Sequence, residues 1–358
     1  MAMTGTVTGI GNMTVSNGAI ESLRDLLIQT AYKDPDLEAI ITPVFNARNG
    51  DKLGWLGDLA PIGNAGAGCS PTYANATQYF AEKTWAIGQY SSPLKWCYQD
   101  YMATIAEYAL KHGKEIGDIT ATEIMDIVIA PALEKAIKEM YWRIAWFGDT
   151  AAANVSNSGV ITNGVSTTLF TAADGLWKRL FAVGTGNAAQ VETITANSAA
   201  TAAAQKSGIL TQGVATGIID NVLLNADSRI AQNGGVLLMT DSMAKALTHD
   251  IKKSYNYQTT WEDVMDGVKM TTYDGVPVYS IAIWDRMIKA YQNNGTTLNL
   301  PHRVVYASPK QLLVGTPSDK LLQDFDIFFD RTDRTTKAYL AGSIGTLIGE
   351  DDLVHLAY

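Results

Sequence analysis

Apolar residues recur at the spacing of an α-helix in several stretches of this chain. The predicted helices are 17–32, 98–112, 121–147, 214–232 and 242–253. The run 121–147 is the longest, and a capping box formed by Thr120 and Glu123 opens it. Because proline removes a helical hydrogen bond, we expect Pro131 to kink this helix or divide it in two.

Strand-like patterns fill much of the remaining chain. The pair Asn49-Gly50 predicts a type I′ turn in a hairpin at 40–58, and residues 77–90 alternate without a clearly polar face. Further strands are predicted at 236–240, 302–308, 311–316, 324–330, 337–341 and 353–358, and the stretch 273–280 predicts a strand after a turn at Asp274-Gly275. Residues 150–207, rich in Ala, Thr, Asn and Gly, predict loops and short strands around one helix. This order of elements predicts an α+β protein.

The extended region between 40 and 96 has more apolar side chains than a free arm can hold in water. A two-stranded ribbon is marginally stable by itself, so it must lie on its own core or on a neighbouring molecule. The candidates for contact with another subunit are Trp55, Leu56, Phe80, Trp85 and Ile87. Residues 1–16 are rich in Gly and Thr, and we expect a neighbouring subunit to order them.

Composition narrows the classes of function. The 358-residue chain is 47% hydrophobic and only 18% charged, with a net charge of −9 and a pI of about 5.0. The acidic balance argues against a module that binds nucleic acid or anionic membranes, although it leaves room for a local basic patch. The low charge fraction suggests that much of the surface meets other protein. The chain has no stretch of about 18 apolar residues that would span a membrane.

An acidic cluster near the end of the chain is the strongest candidate for a metal site. Asp324, Asp326 and Asp330 fall within the stretch "DFDIFFD". An EF-hand would need an oxygen ligand and then a glycine where this stretch has Phe328 and Phe329. The alternation instead predicts a half-buried antiparallel strand, with Phe325, Ile327 and Phe329 on one face.

Other patterns of catalysis are incomplete in this sequence. The four histidines are scattered without a partner at metal-ligand spacing, and there is no G-x-x-x-x-G-K-[ST] phosphate loop. We therefore expect no enzyme activity, no cofactor and no metal. A metal-dependent enzyme that uses Asp324, Asp326 and Asp330 stays open as an alternative.

The ordered set of motifs resembles the major capsid proteins of tailed bacteriophages, which have the Hong Kong-type capsid fold that encapsulins share. The matching stretches are the region 40–95, "WRIAWFGDT" (142–150), "NADSRIAQNGGVLLMTDSM" (225–243), "DGVPVYSIAIWDR" (274–286), "PHRVVYASPKQLLVGT" (301–316) and "DFDIFFDRTDRTTKAYLAGSIGTLIG" (324–349). The resemblance covers most of the chain.

This resemblance implies a division into five parts. They are an N-terminal arm and first helix at 1–39, an extended E-loop at 40–96, a P domain at 97–212, an A domain at 213–318, and return strands of the P domain at 319–358. The P domain would contain the spine helix 121–147 and a possible insertion at 150–207.

The resemblance also implies a function. The protein would be a major capsid protein whose hexamers and pentamers form the icosahedral head around the double-stranded DNA genome of a tailed phage. Its partners would be copies of itself, a portal, and separate scaffolding or decoration proteins, with DNA enclosed without specific binding and no membrane. It would be assembled in the host cytoplasm and located in the virion. An encapsulin-like compartment, which encloses cargo proteins, is the nearest alternative.

One expectation concerns processing. Many members of the resembled family carry a long N-terminal scaffolding segment that a protease removes. Here the folded pattern begins near residue 17, so we expect no such cleaved segment.

Overall fold

The computed structural model describes most of the chain. The described residues are 39–59, 78–97, 107, 110–111, 130–157, 159–255, 259–265, 267–318, 322–330, 332 and 335–358. The predicted helix 17–32, the arm 1–16 and the capping box of Thr120 and Glu123 lie outside them.

The described strands and helices alternate along the second half of the chain. The strands are β1 (Thr42–Val44), β2 (Lys52–Leu59), β3 (Gln78–Thr84), β4 (Ile87–Cys97), β5 (Val191–Glu192), β6 (Val236–Thr240), β7 (Glu262–Met265), β8 (Val268–Tyr273), β9 (Val276–Ile281), β10 (Val304–Ala307), β11 (Leu312–Gly315), β12 (Leu322–Asp330), β13 (Thr335–Ile348) and β14 (Val354–Ala357). The helices are α1 (Ala130–Phe147), α2 (Leu176–Gly186), α3 (Ala202–Ile209), α4 (Val214–Asn225), α5 (Ser228–Gln232), α6 (Asp241–Tyr255) and α7 (Ala282–Tyr291).

A seven-stranded sheet lies between two layers of helices. Its strand order is β5-β14-β10-β6-β9-β8-β7, and every residue of β6 and β10 is buried. Leu238 faces a core that includes Trp284 of α7, whereas Met239 faces a core that includes Ile219 of α4. A strand covered on both faces has a continuous apolar sequence, which explains the run "VLLMT" at 236–240.

A second sheet has five strands and one exposed face. Its order is β1-β11-β13-β12, and β4 also pairs with β13. Phe325 and Leu340 are buried in the same core as Ile137 and Tyr141 of α1. Asp324 and Asp326 are exposed, so the predicted half-buried antiparallel strand at 324–330 is confirmed.

The hairpin predicted at Asn49-Gly50 is wrong in its pairing. Gly50 has a φ of +90°, but Asn49 does not have the positive φ of a type I′ turn. The strand before the turn, β1, pairs in parallel with β11. The strand after it, β2, pairs with β3, and these two strands form a separate ribbon.

One predicted helix differs from the structure, and another is described only in part. The predicted helix 214–232 is divided into α4 and α5, because Asp227 adopts an extended conformation and its side chain caps α5 at the backbone N–H of Arg229. Pro131 lies in the first turn of α1 as described, while residues 121–129 lie outside the described chain. The predicted division at Pro131 therefore stays a prediction.

The segment 150–207 is part of the main core. It contributes α2, whose Leu176, Trp177 and Leu180 are buried, and α3, a helix that the sequence pattern did not predict. Trp177 contacts Trp146 and Trp284, with ring centroids 6.1 and 4.9 Å away. Whether this segment is an insertion relative to the capsid proteins that the sequence resembles stays a prediction.

Sheet pairing crosses the predicted domain boundaries. Strand β11, predicted within the A domain, pairs with β13 in the five-stranded sheet. Strand β14, predicted as a return strand of the P domain, instead pairs with β10 in the seven-stranded sheet.

Candidate intersubunit surfaces

The ribbon of β2 and β3 joins the rest of the chain through a small apolar cluster. Trp85 is 3% exposed and packs with Ala47, Leu313 and Leu347, and Ile87 packs at the edge of the same cluster. The contact is close, since a Cβ built on Gly315 would lie 2.6 Å from the Trp85 ring. Trp85 and Ile87 therefore have apolar partners within the subunit itself, and their predicted contact with another subunit stays a prediction.

Backbone hydrogen bonds hold the turn before the ribbon against Trp85. The N–H of Gly50 donates to the carbonyl of Trp85 over 2.9 Å, and the N–H of Trp85 donates to the carbonyl of Asp51 over 2.8 Å. The N–H of Ile87 donates to Oδ1 of Asn49 over 3.2 Å. These bonds explain why Asn and Gly stand at the turn, although it connects strands of different sheets.

A lysine attaches the ribbon to the end of β13. Lys83 Nζ donates to the carbonyl of Ile348 over 3.1 Å and forms an ion pair with Asp351. Within the ribbon, Lys52 of β2 pairs with Glu82 of β3. The base of the ribbon is thus held to the rest of the subunit by one apolar cluster and one charged contact.

The other three predicted contact residues lie further along the ribbon. In the backbone register Trp55 is opposite Ala81, and Leu56 is opposite Phe80. Their side chains and residues 60–77 are outside the described part of the chain. A role for Trp55, Leu56 and Phe80 in contact with another subunit stays a prediction.

The outer face of the five-stranded sheet is a surface that the sequence analysis did not single out. Residues that are directly opposite one another in register share a face, and two such rows cross β4, β13 and β12. The rows are Pro93–Tyr339–Asp326 and Lys95–Lys337–Phe328. Phe328 is 44% exposed and Tyr339 is 39% exposed, and a groove of about 540 Å³ runs between them. Exposed aromatic groups beside charged ones are typical of surfaces that contact other proteins.

The aspartates of β12 stand on this same face. Asp324 and Asp326 are exposed and two residues apart on one strand, beside Phe328. Within the described residues, no group of three His, Cys, Asp or Glu side chains is arranged to hold a metal ion. The side chain of Asp330 is outside the described set.

A buried polar network holds the start of α6. The Asp285 carboxylate accepts hydrogen bonds from the backbone N–H groups of Asp241 (2.6 Å) and Ser242 (3.1 Å), and burial raises the pKa of Asp285 to about 6. His302 Nε2 lies 3.1 Å from the carbonyl of Gln205 and must donate to it, so Nδ1 accepts from the Ser242 hydroxyl over 2.9 Å. Burial lowers the pKa of His302 to about 4. This network is a helix cap with a neutral histidine.

A fully buried arginine lies close to this network. Arg303 donates to the carbonyls of Leu300 (2.7 Å) and Asn299 (2.9 Å) and to Oε1 of Gln292 (2.8 Å). Its guanidinium carbon lies 5.0 to 5.5 Å from three aromatic ring centroids, those of Phe147, Trp177 and Phe181. Burial lowers the pKa of Arg303 to about 9, with Asp285 opposing the shift. The arginine joins α1, α2 and the loop before β10 from within, which is a structural role.

Within the described residues, no helix combines the length and apolar character needed to cross a bilayer. No protein-family model and no curated protein sequence matches the chain.

Solved capsid structures do match. The procapsid of satellite phage P4, including the size determination (Sid) protein, aligns with a TM-score of 0.53 and 12% identity over 97% of this chain and 92% of that one. The capsid of an empty GTA particle aligns with a TM-score of 0.47 and 12% identity, over 92% of this chain and 89% of that one. A structure of Gordonia phage Cozz aligns with a TM-score of 0.46 and 10% identity, over 90% and 84%. The chain therefore has the Hong Kong-type fold of phage capsid proteins, as its sequence predicted.

Proposed function

We propose that this protein is the major capsid protein of a tailed phage, a structural subunit without catalytic residues. The observation that carries this proposal is the fold shared with the P4 procapsid chain over 97% of this chain. Such near-complete coverage leaves little of the described chain for a separate catalytic domain. The proposal places the protein in the virion shell, which is assembled in the host cytoplasm.

The partners follow from the same proposal. Copies of the chain would form hexamers and pentamers of a closed shell, which would enclose double-stranded DNA. A portal would occupy one vertex, and separate scaffolding or decoration proteins would act during assembly. Two features support contact between copies, namely the ribbon of β2 and β3 and the exposed aromatic face around Phe328 and Tyr339.

We further propose that the ribbon acts as a clamp on a neighbouring subunit. Its base is anchored by Trp85 and Lys83, and the proposal assigns the contact with another copy to Trp55, Leu56 and Phe80 further along the ribbon. Burying one large side chain is worth about 1.5 to 3 kcal/mol, so three such contacts repeated around a ring would add substantially to shell stability. The N-terminal residues 1–16 are proposed to make a similar contact.

Negative-stain microscopy of the purified full-length protein tests the proposal directly. Closed shells or capsomer rings are the expected result, and a population of monomers or dimers only would refute it. A second measurement, of the nucleic acid and the protein inside shells from infected cells, distinguishes a phage head from an encapsulin-like compartment. DNA inside supports a phage head, whereas a packaged cargo protein would favour an encapsulin-like compartment.

A further inference from the structure

Helices α1 and α7 border a shallow cleft on the surface. Lys135, Lys138 and Trp142 line it from α1, and Ile283 and Arg286 line it from α7. The cleft has a volume of about 140 Å³, and Glu139, Gly267, Val268 and Ala282 complete its lining.

Cations are concentrated along this cleft and its continuation. Each helix carries one further basic residue at helical spacing from a residue that lines the cleft: Arg143 follows Glu139 by four positions on α1, and Lys289 follows Arg286 by three on α7. Arg143 donates to the carbonyl of Leu169 over 3.2 Å. We call the five cations the basic stripe: Lys135, Lys138, Arg143, Arg286 and Lys289. The chain as a whole has 27 cations against 36 acids, so such a stripe runs against its overall balance.

Three lysines of the stripe have no acidic partner among the described residues. Arg286 pairs with Glu139 over 2.9 Å, but no carboxylate of the described chain lies within ion-pair distance of Lys135, Lys138 or Lys289. Elsewhere the pairing is common, since Lys52, Lys83, Lys111, Lys178, Lys245 and Lys269 each have a carboxylate partner. Neighbouring lysines without a carboxylate partner in the described part of the subunit can bind an anion from another molecule.

The dimensions of the stripe favour a polyanion. Lys135 and Arg143 are eight residues apart on one helix, which corresponds to roughly 12 Å along its axis. Duplex DNA carries one negative charge about every 1.7 Å along its axis, so several phosphates lie within that length. Lysine is a point charge on a flexible stem, and it contacts phosphates without requiring a fixed geometry.

We propose that the basic stripe binds the phosphate backbone of duplex DNA without reading its sequence. This deepens the proposed function, because it names the surface of the subunit that faces the enclosed genome. An acidic segment of a second protein is the competing partner, and it is one outcome of the test. DNA is favoured because its phosphate backbone carries negative charges at close, regular intervals along the whole length of the stripe.

The test measures binding of a fluorescent 20-bp duplex to the purified full-length subunit by anisotropy, at a series of KCl concentrations. The stripe variant combines Lys135→Gln, Lys138→Gln and Lys289→Gln. A matched control combines Lys206→Gln, Lys253→Gln and Lys310→Gln, which remove the same charge from other exposed positions. The control should bind as wild type does. The stripe variant should bind at least about tenfold more weakly, and its slope of log K against log salt should be shallower by about 2 to 3.

Two results would overturn the inference. One is equal binding and equal salt dependence of the stripe and control variants. The other is tighter binding of polyglutamate than of DNA to the wild-type stripe, which would identify an acidic protein partner. The single variant Lys135→Gln covers a failure of the triple variant to fold, since it should reduce the slope by about 0.9. Shell formation is scored separately by microscopy, so a chain that binds DNA through the stripe but forms no shells would refute only the proposed function.

Discussion

Single buried ionisable residues determine how the core near α6 responds to pH. Asp285, His302 and Arg303 are all displaced from their ordinary pKa values by burial, the first upward and the other two downward. The carboxylic acid and the imidazole are therefore both favoured in their neutral forms. Their effects on stability have opposite signs between about pH 4 and pH 6, so they partly cancel in the wild-type protein.

Replacing Asp285 with Asn should separate these effects. The folded pKa of Asp285 is raised from 3.8 to about 6, so the folded state binds more protons between these values. The stabilisation that this proton provides is complete below pH 3.8 and is lost as the pH rises through about 6. The free energy of unfolding of the wild type, relative to that of Asp285→Asn, should therefore rise by about 2 kcal/mol when the pH is lowered from 7 to 4, after allowance for the partial exposure of Asp285.

Urea denaturation of isolated subunits at both pH values measures this difference. The exposed Asp352 supplies the control, because Asp352→Asn removes the same charge at the surface and should show no comparable change. A constant difference between wild type and Asp285→Asn from pH 7 to pH 4 would show that Asp285 does not retain a proton in the folded protein.

At the scale of one element, the ribbon of β2 and β3 has a base that stabilises the subunit's own fold and an outer part that is proposed to act in assembly. Its base is part of the subunit's own core through Trp85, and its outer part has side chains that the proposed clamp assigns to a neighbour. Two tryptophans of the same sequence region are thus expected to act in different ways. The comparison between them tests the clamp more sharply than either variant alone.

Trp85→Ala should lower the free energy of unfolding of the isolated subunit by about 3 to 5 kcal/mol, since it removes a large side chain from a filled cluster. Trp55→Ala should leave the isolated subunit nearly unchanged but reduce the yield of closed shells. Thermal unfolding of subunits and particle counts by microscopy supply the two measurements. Early unfolding of the Trp55→Ala subunit together with normal assembly would place Trp55 in the subunit core and end the clamp proposal.

At the scale of the whole molecule, the last strand of the chain completes a sheet that begins far earlier in the sequence. β14 lies between β5 and β10, and Val354, Leu356 and Ala357 are fully buried. The backbone N–H of Tyr358 donates to the carbonyl of Glu192 over 3.1 Å. Removing an interior strand leaves two neighbours with unpaired backbone groups and an open core.

A chain that ends at Leu353 should therefore fail to fold, because it lacks the interior strand β14. Soluble yield and circular dichroism after expression report the outcome. Tyr358→Phe is the control, since it keeps the strand and its ring contact with Phe181 and should fold normally. Recovery of a folded, soluble chain without β14 would show that the seven-stranded sheet does not depend on it.

Local chemistry in the sequence determined the type of many elements. The apolar run at 236–240 specifies a strand that is buried on both faces, and the alternation at 324–330 specifies a strand that is buried on one face. The pair Asp274-Gly275 specifies a turn, because both residues accept a positive φ, here 48° and 78°. The order of such elements was also sufficient to predict the capsid fold. These signals depend on neighbouring residues, which a sequence displays directly.

The tertiary structure alone decided which strands became neighbours and which side chains were enclosed. β11 pairs with β13 and β14 with β10, across the boundaries that the order of motifs predicted. Alternation states which face of a strand is buried, but it carries no information on the partner strand. Trp85 and Arg303 illustrate the same point, because each is buried against a residue more than a hundred positions away in the sequence. Trp85 packs with Leu313, and Arg303 lies over the ring of Trp177.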